Sequence, residues 1–195
     1  YLFSTCAFIL SLLIFSNIAH KKNFIHPEFN RRIVHIFMGL LISSSTLIFS
    51  SNLYPTIIGI SFILINLISF KINAFPGIHA QERTSYGTIY FPLSYSIIVV
   101  FFWEESNFVM TSLLILSLSD PIAGYVGTKL GSSREFKIWY DKKTFEGTLT
   151  FLFTTIIILS LSIFYYKDYN WVQSILFILI VSIFATISEI MSKRG

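Results

Sequence analysis

FVMTSLLILSLSDPIAGYVGTKL, Phe108 to Leu130, is long and apolar enough to cross a bilayer, yet it carries Asp120-Pro121 inside it. It also holds Gly124 and Gly127, with Gly131 just beyond its end. A carboxylate at the centre of such a span costs about 2.5 to 3.5 kcal/mol on insertion scales, so Asp120 is a functional candidate by default. Pro121 removes a backbone donor beside it and is expected to loosen the helix there. Ala123, Gly127 and Gly131 recur every four residues, the spacing of a small-residue packing seam, and Gly124 lies off that seam near Asp120.

Working outward, similar apolar runs fill the chain: Tyr1 to Ala19, Ile33 to Ser50, Leu53 to Phe70, Tyr86 to Trp103, Gly147 to Tyr166 and Trp171 to Ile190. The composition agrees. Of 195 residues, 54% are hydrophobic and 12% charged, about half the charge of a soluble domain. An ordinary soluble enzyme, a disordered tail and a collagen-like chain are excluded. The expectation is an all-α integral membrane protein with about seven transmembrane helices, forming a single polytopic domain over residues 1–195. The chain opens at Tyr1 without a methionine, so trimming at one or both ends is expected. Its first segment lacks a basic leader and a small-residue cleavage site, and reads as a helix.

Seven spans put the connections on alternating sides. Thirteen of the 14 basic residues then share one side, leaving Lys167 on the other. The positive-inside rule thus puts the N-terminus outside and the C-terminus in the cytoplasm. Tyr54, Trp103, Tyr165, Tyr166 and Trp171 fall at the outer edges, as an interfacial aromatic belt does. Cys6 is the only cysteine, and the four histidines follow no metal-ligand spacing, so disulfide, zinc and thiol chemistry have no footing.

Three polar clusters face the cytoplasm in this topology. Arg31, His35 and Gly39 stand at i, i+4 and i+8, on one helix face. Arginines there could grip phosphate and an imidazole relay a proton; the same residues also read as headgroup anchors and a packed histidine. The stretch ERTSYGTIYFP, Glu82 to Pro92, reads either as a loop lining a site or as one re-entering the interface. KKTFEG, Lys142 to Gly147, precedes a span. Lys142, Lys143 and Thr144 there could hold a polyphosphate at a helix N-terminus, or anchor headgroups. Glu146 is a helix-dipole partner or a metal ligand. No Walker A loop and no protein-kinase motif is present.

Taken in order, Arg31-Arg32-x-x-His35-x-x-x-Gly39, Glu82-Arg83-x-x-x-Gly87-x-x-Tyr90, Ser119-Asp120-Pro121-x-Ala123-Gly124-x-x-Gly127 and Lys143-Thr144-x-Glu146-Gly147 resemble the CTP-dependent polyprenol, dolichol, phytol and diacylglycerol kinases. The resemblance covers most of the chain from the second span onward. It implies transfer of the terminal phosphoryl group of CTP to the hydroxyl of a membrane lipid, with Mg²⁺ as cofactor, at the cytoplasmic face. It assigns Asp120, His35 and Glu82 to catalysis, with either His35 or Glu82 as base. Arg31, Lys142, Lys143, Thr144 and Gly124 are assigned to the nucleotide, and Asp120 with Glu146 to the metal. The partners implied are CTP and a membrane lipid alcohol, with no nucleic acid. Members of that family tend to continue past the Ser188-Glu189 region into an Asp-Asn stretch. Phosphatidate cytidylyltransferases share the Asp with small residues and the Lys-Thr-x-Glu-Gly run, and are the second reading. A small transporter or lipid-binding membrane protein is the third.

Overall fold

The computed structural model describes residues 1–22, 24–72, 87–131, 135–138, 141–166 and 170–192. Each of the seven apolar stretches overlaps helix among the described residues. α1 is Leu2–Lys21, α2 Pro27–Ser43, α3 the single turn Ser45–Ile48, α4 Leu53–Ile72 and α5 Gly87–Phe102. α6 (Ser106–Leu114) continues through a π-helical turn, Ile115–Ser119, into α7 (Asp120–Leu130). α8 is Phe145–Tyr166 and α9 is Trp171–Met191. Local sequence explains several ends. Pro27 sits in the first turn of α2 with Glu28 beside it, where a missing N–H is harmless and a negative charge suits the dipole. His20 and Lys21 close α1 at its negative end.

Among the described residues, four helices are long and apolar enough to span a membrane: Leu2–Lys21, Ser106–Leu130, Phe145–Tyr165 and Trp171–Met191. Leu53–Ser69 and Gly87–Phe102 are shorter apolar helices. The 17-residue α2 begins six residues earlier than the apolar run, and its first turns carry Glu28, Asn30, Arg31 and Arg32. Its hydrocarbon stretch is correspondingly short.

α9 identifies the surrounding solvent. It buries Ser174, Ser182 and Thr186 while Phe177, Ile180, Ile183, Phe184 and Ile187 stand exposed. In water that arrangement is inside out. Against hydrocarbon it is the stable one, because the hydroxyls are kept inside and donate to their own helix, Ser182 to the Leu179 carbonyl and Thr186 to that of Ser182. The chain is a helical membrane protein.

The all-α expectation needs one correction. Between α7 and α8 a short antiparallel hairpin forms, β1 (Glu135–Ile138) with β2 (Asp141–Thr144), in the register Glu135↔Thr144, Phe136↔Lys143, Lys137↔Lys142 and Ile138↔Asp141. Glu-Phe-Lys-Ile alternates polar and apolar residues with the period of a strand, and its burial alternates in step.

Packing divides the chain into two units, Tyr1–Leu113 and Leu114–Lys193. In the first, Ile9, Leu13, Val34, Met38, Phe49 and Ile58 form one core cluster, and Ile42, Tyr95, Val99, Val109 and Leu113 a second. Asn30 ties α2 to α1: its amide donates to the Ser16 carbonyl at 3.0 Å and to Ser16 Oγ at 2.9 Å. Gly59 lets α4 approach α5, since a Cβ there would collide with the Ser96 hydroxyl. In the second unit α8 packs against both α7 and α9, and the hairpin joins α7 to α8.

Candidate functional site

The site is built around the join between the π turn and α7. Ser117 and Ser119 within the turn are fully buried, Pro121 lies in the first turn of α7, and Asp120 between them is exposed. A wide turn ahead of a residue without an N–H is the loosening that Pro121 foretold, and the helix bridges it without breaking. Thr155 of α8 donates to Ser119 Oγ at 3.2 Å; both side chains are sealed from solvent.

The small-residue seam accounts for Gly127 and Gly131. A Cβ on Gly127 would meet Thr144 Oγ1 at 2.7 Å, and one on Gly147 would stand 3.1 Å from the Ala123 carbonyl. A Cβ on Gly131 would collide with the Thr144 side chain and the Gly127 carbonyl. These glycines bring α7 against the start of α8. Gly124, off the seam, is half-buried, and its carbonyl accepts the Thr128 hydroxyl at 3.0 Å. Thr144 acts as helix cap and seam element, with Oγ1 accepting the Gly147 N–H at 3.2 Å.

The two lysines of the hairpin differ. Lys142 is exposed and pairs with Glu135 across the strands at 2.8 Å. Lys143 turns inward: Nζ lies 2.5 Å from Glu189 Oε1, 3.0 Å from the Glu189 carbonyl and 3.3 Å from Ser192 Oγ, all at the C-terminal end of α9. The other carboxylate oxygen of Glu189 is buried without a hydrogen-bond partner among the described residues, as is Glu146 Oε2 in the first turn of α8.

Contacts between α7 and α8 fix their register. Ser119 meets Thr155 and Gly127 meets Gly147, so the helices run antiparallel. Asp120 therefore stands level with Thr154 and Glu146 level with Thr128, about 12 Å apart at 1.5 Å per residue. Along the helices the two carboxylates are thus about two turns apart. Mg²⁺ accepts one or two carboxylates together with phosphate oxygens, and either residue alone fits such a mixed set. Among the described residues there is no group of three or more His, Cys, Asp or Glu able to hold a metal.

Arg31 and His35 belong to the first unit. Both are half-buried on α2, and the His35 ring lies 4.3 Å from that of Phe91 on α5. Their neighbour Arg32 is nearly buried and reaches Glu28 at 3.5 Å. Glu82 falls outside the described residues. Sequence reasoning overlooked Thr155, Asn30 and the Lys143–Glu189 pairing. The partners are 36, 14 and 46 residues apart, beyond any local pattern.

Phytol kinase 1 of Arabidopsis thaliana is 29% identical to this chain over 187 residues, covering 87% of the chain and 60% of that protein. Several of its relatives are phytol kinases. That of Synechocystis is 23% identical over 150 residues, covering 76% of the chain and 64% of the relative. A probable phytol kinase 2 of Glycine max is 25% identical across 87% of the chain and 59% of its own length. The chain thus spans about three fifths of the length of these curated relatives. An alignment covering 87% of the chain necessarily contains its middle, Asp120 through Gly147 included. No family profile matches the chain. No solved structure matches it significantly.

Proposed function

We propose that the chain is the membrane-embedded part of a kinase that phosphorylates the hydroxyl of an isoprenoid alcohol of the phytol type, with CTP as donor. The observation that carries the reading is the similarity to phytol kinases across a stretch that includes Asp120, within an apolar helix, and the Lys142–Gly147 run. The proposed topology has seven spans with the N-terminus outside, so that the hairpin and its lysines face the cytoplasm. The same proposal admits diacylglycerol as an acceptor, since long apolar helices contact either lipid alike.

In this proposal Asp120 and the hairpin, set apart along the helices, serve different ends of the reacting pair. Lys142 and the N-terminus of α8 meet the polyphosphate, while Asp120 faces the phosphoryl group and the lipid hydroxyl arriving from the inner leaflet. Gly124, one turn along from Asp120, lies between them. In the transfer the lipid oxygen bonds to the γ-phosphorus as the bond to the bridging oxygen breaks. CDP leaves, and the hydroxyl proton passes to a base, the part that the family resemblance gives to His35 or Glu82. Asp120 would hold Mg²⁺, which supplies neutralisation of phosphate charge when bound. Phosphoryl transfer asks for alignment and charge neutralisation above all, and this set of residues offers both.

Membranes carrying the protein, supplied with phytol, Mg²⁺ and CTP labelled at the α or the γ phosphate, test the reading. Label entering lipid from the γ position alone is the expected result. Entry from the α position means a cytidylyltransferase, and no entry from either position sinks the kinase reading.

A further inference from the structure

Hydroxyls of the second unit commonly bond within their own helix. Thr128, Thr150, Thr154, Ser160, Thr186 and Ser188 each donate to a carbonyl three or four residues back. A helix in hydrocarbon satisfies its hydroxyls this way without help from a neighbour. Thr155 departs from the pattern. Its hydroxyl crosses to Ser119 on the adjoining element, and neither side chain has any exposure.

The place where it lands matters. Ser119 is the last residue of the π turn and immediately precedes Asp120 and Pro121. Here the backbone ladder is at its weakest, because the turn is wide and the proline has no N–H. A π turn holds one more residue than an α turn. Its collapse to α geometry would rotate everything beyond it by about 100°, the angle per residue of an α-helix. The azimuth of Asp120 therefore depends on the turn keeping its shape, and the bond from Thr155 grips the turn at the adjacent residue.

We infer that Thr155 is a positioning residue, which through Ser119 holds the π turn that aims Asp120. Its consequence for turnover rests on the kinase reading; its hold on the turn does not. The test compares wild type, Thr155→Val, Thr155→Ser and the pair Ser119→Ala/Thr155→Val in lipid nanodiscs, measuring phytol phosphorylation and backbone amide exchange over residues 115–124. Thr155→Val is expected to lower kcat by about tenfold or more, with the nucleotide KM held within about twofold, since small misplacements of a reacting group are costly. Thr155→Ser restores the rate. The double variant, with both hydroxyls replaced by apolar groups, keeps its stability but stays slow. Exchange over the turn is expected to quicken about threefold or more in Thr155→Val and in the double, and nowhere else.

A double variant with wild-type kcat would overturn the inference, because the bond would then only satisfy two buried hydroxyls. So would unchanged exchange over the turn, whatever the activity. A wild-type chain that phosphorylates nothing removes the kinase reading instead, and the exchange data still decide whether Thr155 holds the turn.

Discussion

Lys143 and Glu189 form an ion pair of 2.5 Å between the hairpin and the last turn of α9, with the two side chains 20% and 14% exposed. The lysine also bonds the Glu189 carbonyl, so it neutralises a carboxylate and caps the negative end of a helix at once. A cation held this way is committed to the fold. Lys143→Met is expected to strand a nearly buried carboxylate and cost on the order of 2 kcal/mol, between the values for exposed and fully buried pairs. Lys143→Met/Glu189→Met removes both charges and recovers most of that loss. Thermal unfolding in detergent, read by size-exclusion chromatography, checks the recovery. If the double recovers stability but the nucleotide KM stays high, Lys143 has a second role at the phosphates.

Gly131→Ala is expected to be the most damaging seam substitution. The new methyl would meet the Thr144 side chain and the fixed carbonyl of Gly127, so the backbones must part. Overpacking of this kind costs about 1–3 kcal/mol. Gly127→Ala meets chiefly the Thr144 hydroxyl, a side-chain atom and not a backbone carbonyl, and should cost less. The order of the two melting temperatures is the measurement, and a Gly127→Ala chain that melts lower would contradict the packing described here.

Asn30→Ala breaks the tie between α2 and α1, and leaves the Ser16 carbonyl without its amide donor in a site that is 1% exposed at residue 30. Each buried hydrogen bond lost costs about 0.5–1.5 kcal/mol, so the variant should melt measurably lower. Asn30→Asp is expected to be worse than alanine. It keeps the size but aims a carboxylate at a carbonyl. The comparison of the two melts separates lost bonding from lost volume.

Much of the fold was legible because hydrocarbon imposes a simple code: an apolar run of some twenty residues becomes a helix, as the runs from Tyr1 to Ala19, Phe108 to Leu130, Gly147 to Tyr166 and Trp171 to Ile190 did among the described residues. The seam was legible for the same local reason, since Ala123, Gly127 and Gly131 share one helix face whatever packs on it. The hairpin was too short to stand out among charged residues. Lys143 looked equivalent to Lys142 until its partner 46 residues away came into view. Asp120 and Glu146 looked like two ligands of one metal because both are acids in adjoining motifs. Their distance is set by the antiparallel register of α7 and α8, which no window of sequence contains.

Asp120→Asn keeps the volume and polarity of the side chain and removes its charge. In the apolar stretch around it the neutral amide is cheaper to insert, so membrane insertion and folding should be unimpaired. Turnover, on the kinase reading, is expected to fall by about a hundredfold or more, the scale seen when a group that stabilises developing charge is lost. Glu146→Gln should fall less, because at about 12 Å along the helices it cannot reach the same phosphate oxygens. Equal losses in the two variants would bring both carboxylates back to one ion.

Lys142 provides the sharpest contrast with its neighbour. Its pairing with Glu135 is between side chains 57% and 40% exposed, an arrangement worth little to stability. The ammonium is therefore available to exchange a carboxylate for a phosphate, which carries more charge and is met more strongly. Lys142→Ala is expected to leave the melting temperature within a degree or two. It should raise the nucleotide KM by about tenfold, equivalent to ~1.4 kcal/mol of lost binding. Glu135→Gln, which releases the same lysine from its partner, should lower that KM or leave it unchanged. Steady-state titration of the nucleotide at saturating phytol reads both effects. A Lys142→Ala chain with an unaltered KM would confine this lysine to headgroup contact, and leave the start of α8 to hold the polyphosphate alone.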